Sequence, residues 1–221
     1  MNKFPLHIFS FLIFCFFWTG SYAASLEEAE KAFAAKSYVT SRSLYEDALS
    51  DFRISSVEDL KLDLENIEKI RGITINYGWN LFFLDDFENS NLIFAKIYAL
   101  FPEEFNSILG QAWSSVKLDQ YVDAQYWLDL ASETAKKTQL PGVYDAQGWL
   151  AIKQGKFELA LDYFDKEDDL QKDLYNGDYY TPDSMVGRAW VSVFQNDWKA
   201  AKKYFSKGLR RAKNAGGDCS F

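Results

Sequence analysis

Histidine and cysteine are almost absent from this chain of 221 residues, which holds one histidine and two cysteines. The histidine, His7, and one cysteine, Cys15, both fall within the apolar N-terminal stretch. Serine triads, cysteine–histidine pairs and ordinary zinc sites rely on imidazole or on several thiolates. These sites are therefore excluded or nearly so, and we expect neither a metal nor a cofactor.

The first 23 residues, 1–23, have the composition of a secretory signal peptide. Lys3 gives a positive start, residues 8–17 are apolar, and Ser21-Tyr22-Ala23 offers small residues before a cut after position 23. The alternative is an uncleaved membrane anchor, but the apolar core is shorter than the roughly 17 to 25 residues that a spanning helix needs. We expect cleavage, no transmembrane segment afterwards, and a periplasmic or secreted protein of a bacterium-like cell.

Cleavage would leave Cys219 as the single thiol, so no internal disulfide is possible and the fold must rest on packing. Cys219 lies in a predicted flexible C-terminal tail at 214–221.

Acidic residues outnumber basic ones in this chain, with 32 Asp and Glu against 24 Lys and Arg and a net charge of -8. Phosphate backbones and anionic lipid surfaces repel such a chain, so nucleic acid is a poor candidate partner.

What the chain does contain is a repeated spacing of small and large apolar residues. In the stretch from Gly148 to Phe164, a small residue is followed at once by tryptophan, and then by an aromatic, a small and an apolar residue. These stand eight, eleven and fifteen residues after the tryptophan, and spacings of three and four around them predict helices. Three further copies keep the spacing: Gly78, Trp79, Phe87, Ser90 and Phe94; Ala112, Trp113, Tyr121, Ala124 and Leu128; Ala189, Trp190, Trp198, Ala201 and Phe205.

The pattern predicts one repeat domain at 24–213. A divergent first copy keeps Ala29, Ser41 and Tyr45 but has Glu30 in place of tryptophan, as expected of a terminal repeat. Five copies are predicted, at 25–50, 72–101, 105–137, 143–168 and 183–212.

Two segments separate the copies more widely than the rest. Residues 51–71 are an insertion, and a helix cap at Ser56 followed by apolar residues predicts an extra or extended helix there. Residues 165–182 are acidic and rich in turn formers. They lack the ligand pattern of a calcium-binding loop, so we expect a solvated loop.

A two-helix unit of about 34 residues with a small residue on the first helix and A-x3-F on the second resembles the tetratricopeptide repeat family. The stretches Ala160-x3-Phe164 and Ala201-x3-Phe205 match the second-helix part literally. The resemblance implies an all-α fold, an α-solenoid of about five helix hairpins in a right-handed superhelix. The first helix departs from the family, which usually has Leu before the small residue; here stand Tyr77, Gln111, Gln147 and Arg188.

The tryptophans that follow the small residues allow two interpretations. In the family's register they point into the concave groove that binds peptides or partner helices. Alternatively, the first helix is rotated by about one residue and the same tryptophans form core between neighbouring repeats. The first interpretation predicts these partner-binding residues: Trp79, Phe82, Trp113, Trp149, Trp190 and Phe194.

We expect a non-catalytic scaffold in the bacterial envelope that binds a protein or peptide partner along its repeats. The resemblance to exported tetratricopeptide proteins suggests envelope assembly or polysaccharide export. One alternative is a carbohydrate-binding module whose tryptophan ladder stacks on sugar rings. Another is an enzyme that uses a pair of carboxylates, which the missing histidine disfavours.

Overall fold

The computed structural model describes residues 26–50, 67–175 and 181–214. Within these ranges the chain forms ten helices and no strand. None of these helices combines the length and the apolar character needed to cross a membrane. The predicted signal peptide at 1–23, residues 51–66 of the predicted insertion and the tail from 215 onward lie outside the described residues.

The helices pair in chain order into five hairpins, here called repeats 1 to 5, which confirms the predicted all-α repeat fold. The first helix of the second hairpin begins at Ile67, inside the range predicted to be an insertion. The first helices are α1 (26–34), α3 (Ile67–Phe83), α5 (Phe105–Lys117), α7 (Leu140–Lys153) and α9 (Asp183–Phe194). The second helices are α2 (Tyr38–Ser50), α4 (Phe87–Leu100), α6 (Tyr121–Thr134), α8 (Phe157–Tyr175) and α10 (Trp198–Asn214).

All five hairpins turn in the same way, through three residues of which the middle one is left-handed. In repeat 3, for example, the residue after the left-handed one, Gln120, donates its N–H to the Ser115 carbonyl at 2.9 Å. This bond closes the first helix in a Schellman motif. The left-handed residues are Lys36, Asp85, Asp119, Gly155 and Asn196, with φ of 57, 59, 58, 71 and 61°.

The small residue of the pattern lies where the two helices of a repeat come closest. A Cβ atom added to Gly148 would stand 2.5 Å from a ring carbon of Phe164, and one added to Gly78 would stand 2.9 Å from the ring of Phe94. Both rings are fully buried. Any side chain at these two glycines would displace a core ring, which explains the small residue in the pattern.

Contacts divide the chain into two compact units, Met1–Pro102 and Glu103–Phe221. The described part of the first unit holds repeats 1 and 2, and its core includes Tyr45 and Ile73. The second unit holds repeats 3 to 5, and its core includes Phe164 and Val191. Each unit therefore buries apolar residues of its own.

The tetratricopeptide family usually has Leu directly before the small residue, and this chain has polar residues there. In repeat 3 that residue, Gln111, donates from Nε2 to the Ser107 carbonyl of its own helix at 3.4 Å. In repeats 2, 4 and 5 it makes polar contacts between repeats. Each contact joins a first helix to the second helix of the preceding repeat. The pairs are Tyr77 to Glu46 at 2.8 Å, Gln147 to Ser132 at 3.2 Å and Arg188 to Asp165 at 2.7 Å. The departure from the family noted in the sequence thus has a structural use, because these side chains link neighbouring repeats.

The predicted solvated loop at 165–182 is wrong in its first part, because α8 continues to Tyr175. Phe164, Glu167 and Gln171 are buried, and their spacing of three and four residues keeps them on one face of the helix. Asp165 lies off this face and is exposed. The many carboxylates of this stretch belong to an amphipathic helix, two of whose polar side chains are in the interior.

We predict that Gly187→Ala destabilises the protein by about 1–3 kcal/mol, because the new Cβ would overpack a full core. At this position a Cβ would stand 2.1 Å from Cζ of the buried Phe164. Gly72→Ala is the matched control, since a Cβ there meets nothing within 4 Å and the residue is exposed within α3. Urea denaturation should show the control stabilised by about 0.5–1 kcal/mol through its better helix propensity. Equal stability of the two variants would contradict the packing described.

Candidate functional site

The two predicted partner-binding residues of the first unit, Trp79 and Phe82, lie on α3 and are half-buried. The Trp79 ring packs edge-on against the buried Phe94, with centroids 5.1 Å apart, and against Phe82 at 5.6 Å. Beside them Phe83 is 48% exposed and stacks on Tyr38 at 4.9 Å. Trp79 therefore extends the core toward the surface.

Trp113 on α5 and Trp149 on α7 occupy the same position in their repeats and are also half-buried. Trp149 packs against the core cluster that contains Ile152 and Phe164. The Lys117 ammonium of α5 lies 5.9 Å from the centroid of the Trp149 ring, within cation–π range. Trp149 thus contributes to the core while its ring also meets a cation of the neighbouring repeat.

The two predicted partner-binding residues of the last repeat are more open to solvent than the other four. Trp190 is 40% exposed and Phe194 is 54% exposed. Phe194 stacks on Phe157 of repeat 4, with centroids 6.0 Å and planes 10° apart. Trp190 lies 6.0 Å from Phe194 and 6.2 Å from Phe205. We name these four residues, Phe157, Phe194, Trp190 and Phe205, the aromatic row; a connected apolar surface of this kind commonly marks an interaction site.

The core packing that the second interpretation of the tryptophans predicts is seen at two of them. Trp79 and Trp149 pack on core residues and keep part of their surface exposed, and Trp113 is half-buried as well. Trp190 is more exposed than these three. The binding role of the six residues stays a prediction.

A second cluster, which sequence reasoning missed, places carboxyl groups of α7, α8 and α9 near one another. Glu167 of α8 is 1% exposed, and its Oε1 accepts hydrogen bonds from Gln171 at 2.9 Å and Thr181 at 3.1 Å. Its Oε2, like Oδ1 of Asp145 on α7, is buried without a hydrogen-bond partner. The one sequence signal was Asp145, which interrupts the apolar stripe of its helix.

These carboxyl groups resist ionisation. Burial raises the pKa of Glu167 to about 9, and the charges of Asp145 and Asp183 add to the shift. Burial also raises the pKa of Asp145 well above its ordinary value, helped by the charge of Asp183. A hydrogen bond from Trp149 and the charge of Lys117 oppose that shift. The Glu167 side chain is therefore neutral at pH 7, as its burial requires.

Cations border the cluster and pair with a further acid of α8, Asp168. Asp168 Oδ1 lies 2.8 Å from Arg211 Nη1 of α10 and accepts a hydrogen bond from Ser184 of α9 at 2.6 Å. Arg188, which is 7% exposed, places Nη2 3.6 Å from Asp168 Oδ2. Asp168 thereby connects the helices of repeat 5 to repeat 4. In the part of the chain that the structure describes, no group of three or more His, Cys, Asp or Glu residues is placed to hold a metal ion.

The cluster is built to join repeats 4 and 5. Glu167 is buried and already accepts two hydrogen bonds on Oε1. Thr181, just before α9, donates one of these bonds and also receives a hydrogen bond from Gln171 at 2.8 Å. The raised pKa of Glu167 follows from this burial.

Comparison with solved structures identifies the fold as that of tetratricopeptide proteins. TTC0263, a thermophilic TPR protein of Thermus thermophilus, is similar over 87% of this chain and 92% of its own, at 14% identity and a TM-score of 0.64. MamA 41-end from Desulfovibrio magneticus RS-1 is similar over 87% of this chain and 95% of its own, at 16% identity and a TM-score of 0.51. A MamA RS-1 double mutant is similar over 89% and 97%, at 15% identity and a TM-score of 0.54. Neither protein-family models nor curated protein sequences gave a match.

We predict that Glu167→Gln makes the stability of the protein less dependent on pH. The pKa of Glu167 rises from 4.5 to about 9 on folding, so the folded protein holds a proton that the unfolded chain releases. Stability linked to this group is therefore greatest at low pH and is lost as pH rises toward the folded-state pKa. Glutamine resembles the protonated acid and removes this loss.

Thermal melts from about pH 5 to about pH 9 measure the effect. Over this pH range the melting temperature of the wild type should fall by several degrees more than that of Glu167→Gln. Glu158→Gln, an exposed acid in the first turn of the same helix, is the control and should follow the wild type. Parallel curves for all three proteins would show that Glu167 is ionised in the folded state.

Proposed function

We propose that this protein is a non-catalytic scaffold that binds a segment of a protein partner through the aromatic side chains of its first helices. The single observation that carries the proposal is the aromatic row, a chain of ring contacts in which Trp190 and Phe194 remain 40% and 54% exposed. Aromatic residues are the side chains most often found at the energetic centre of interfaces. The tetratricopeptide-type fold supports the proposal, because stacked hairpins add binding surface repeat by repeat.

We place this function in the bacterial envelope, where it would serve assembly of the envelope or export of a polysaccharide. The support comes from the N-terminal 23 residues, which have the charge, the apolar core and the small residues of a secretory signal. The partner would be a protein or a peptide.

The same proposal includes that the scaffold has no catalytic activity. The sequence has one histidine, His7, which a cut after Ala23 would remove. Glu167, a carboxyl group whose pKa is raised to about 9, is 1% exposed and hydrogen-bonded within the interior. Both observations support a binding role over an enzyme that uses a pair of carboxylates.

A carbohydrate-binding role is the second candidate. The exposed rings of Trp190 and Phe194 favour it, because sugar rings stack on open aromatic faces. Trp79 and Trp149 weigh against it, since their packing on the core leaves less open face for stacking. A titration with glycans, followed by tryptophan fluorescence, separates the two roles, and saturable quenching by a glycan would favour the second.

We predict that Trp190→Ala loses the partner while the fold remains. Removing an exposed aromatic anchor typically costs an interface about 2 kcal/mol or more, which is a loss of at least tenfold in affinity. The measurement is quantitative co-purification of cross-linked partners from the native envelope fraction, with the wild type beside the variant. Thermal melting checks that the variant is folded.

Tyr126→Ala on α6 is the matched control, because Tyr126 is a 57% exposed aromatic residue on a second helix. It should retain every partner that the wild type retains. If both variants recover the same partners in the same amounts, the first-helix aromatic residues are not the binding surface.

A further inference from the structure

The outer face of repeat 5 leaves exposed an aromatic residue whose counterparts are buried. The apolar residue that closes the pattern is 38% exposed in repeat 5, where it is Phe205. In repeat 4 the corresponding residue is Phe164, which is buried because Gly187, on the first helix of repeat 5, lies against its ring. The counterparts in repeats 1 to 4 are Tyr45, Phe94, Leu128 and Phe164, each 0% exposed.

A second residue of this face shows the same difference. Trp198, the first residue of α10, is 64% exposed. Its counterpart Phe157, the first residue of α8, is half-buried because Phe194 of the following helix stacks on it. Trp198 and Phe205 are seven residues apart, as Phe157 and Phe164 are. We name Trp198 and Phe205 the end face.

The charge around the end face is opposite in sign to that of the chain. Helix α10 carries seven basic residues and no acidic one. Elsewhere the chain has the remaining 17 basic residues against 32 acidic ones. At about 100° per residue, Lys202 lies about 40° around the helix from Trp198, and Lys213 lies about 80° from Phe205. Both lysines are exposed and lie on the same side of the line from Trp198 to Phe205, so cations border one side of an apolar strip.

We propose that the end face binds an acidic amphipathic helix of a partner protein, in the place that the first helix of a further repeat would fill. The helix α9 provides the template: Gly187 meets Phe164, and Phe194, seven residues later, meets Phe157. The partner helix therefore carries a small residue over Phe205, an aromatic residue seven positions later over Trp198, and carboxylates toward Lys202 and Lys213. This surface lies on α10 and shares Phe205 with the aromatic row, whereas Trp198 belongs to the end face alone and Trp190 and Phe194 lie on α9.

The charge also argues against a second copy of this chain binding to the end face through its own end face. Two end faces that met would bring Lys202 and Lys213 of both copies together with no acidic residue of α10 between them, and like charges at close range repel. An anionic membrane is disfavoured by the net charge of -8 of the whole chain. A single acidic helix has both the charge and the narrow apolar stripe that the end face requires.

Two synthetic helical peptides test the proposal by fluorescence anisotropy with the full protein. Both keep the residues of α9 that face the preceding repeat, Gly187, Val191 and Phe194; one carries glutamate at its other positions and the second carries lysine. The glutamate peptide should bind and the lysine peptide should not. Added salt should weaken binding, because the charged rim is open to solvent.

Variants of α10 test whether peptide binding is specific to the end face. Trp198→Ala should lower the affinity of the glutamate peptide by about tenfold or more. Lys202→Glu should weaken binding of the glutamate peptide and strengthen binding of the lysine peptide. Val122→Ala, a change at an 84% exposed apolar residue of α6, should alter neither.

Three results would overturn the proposal. The first is that neither peptide binds, or that both bind alike. The second is sedimentation of the protein as a dimer that Trp198→Ala dissociates, which would make a second copy the occupant. The third is binding to phosphatidylglycerol vesicles that Trp198→Ala abolishes, which would make a lipid surface the occupant. Each result leaves the binding role of Trp190 to be decided separately by co-purification.

Discussion

A buried aromatic ring held between two glycines is the contact on which the stacking of repeats 4 and 5 depends. Phe164 is fully buried, and a Cβ at Gly148 or at Gly187 would stand 2.5 or 2.1 Å from its ring. One glycine belongs to the same repeat and the other to the next, so a single side chain fixes both the hairpin and the step between hairpins. Because a packed interior does not yield to an added methyl group, these positions accept only the smallest residues.

The same contact explains why the fold could be predicted from the sequence. The small residue and the ring recur at fixed spacing, and the pattern stands out because it repeats within one chain. The turns were less visible: Gly155 is recognisable as a left-handed residue, whereas Lys36 adopts a φ of 57° with no favourable side chain to mark it. At Lys36 the left-handed geometry is set by the hairpin and not by the residue type.

The candidate site could be predicted only in part, because burial depends on which element follows. Trp149 and Trp190 occupy the same position of the pattern, but Trp149 is half-buried and Trp190 is 40% exposed. Sequence reasoning assigned Glu167 to a solvated loop, because a glutamate in an acidic stretch normally faces water. Its burial follows from its place three residues after Phe164 on a longer helix, together with the hydrogen bonds that Gln171 and Thr181 donate. Gln171 is only four residues from Glu167, but Thr181 is fourteen residues away, on the far side of the end of α8, and leaves no local pattern.

The central claim is that Phe164 and Gly187 form one contact, and a double-mutant cycle between them tests it most directly. Phe164→Leu removes the ring that a Cβ at position 187 would strike, so Gly187→Ala should cost less in that background than in the wild type. The free energies of unfolding of the four proteins should then show a coupling of about 1 kcal/mol or more. Additive effects, within about 0.3–0.5 kcal/mol, would contradict the account.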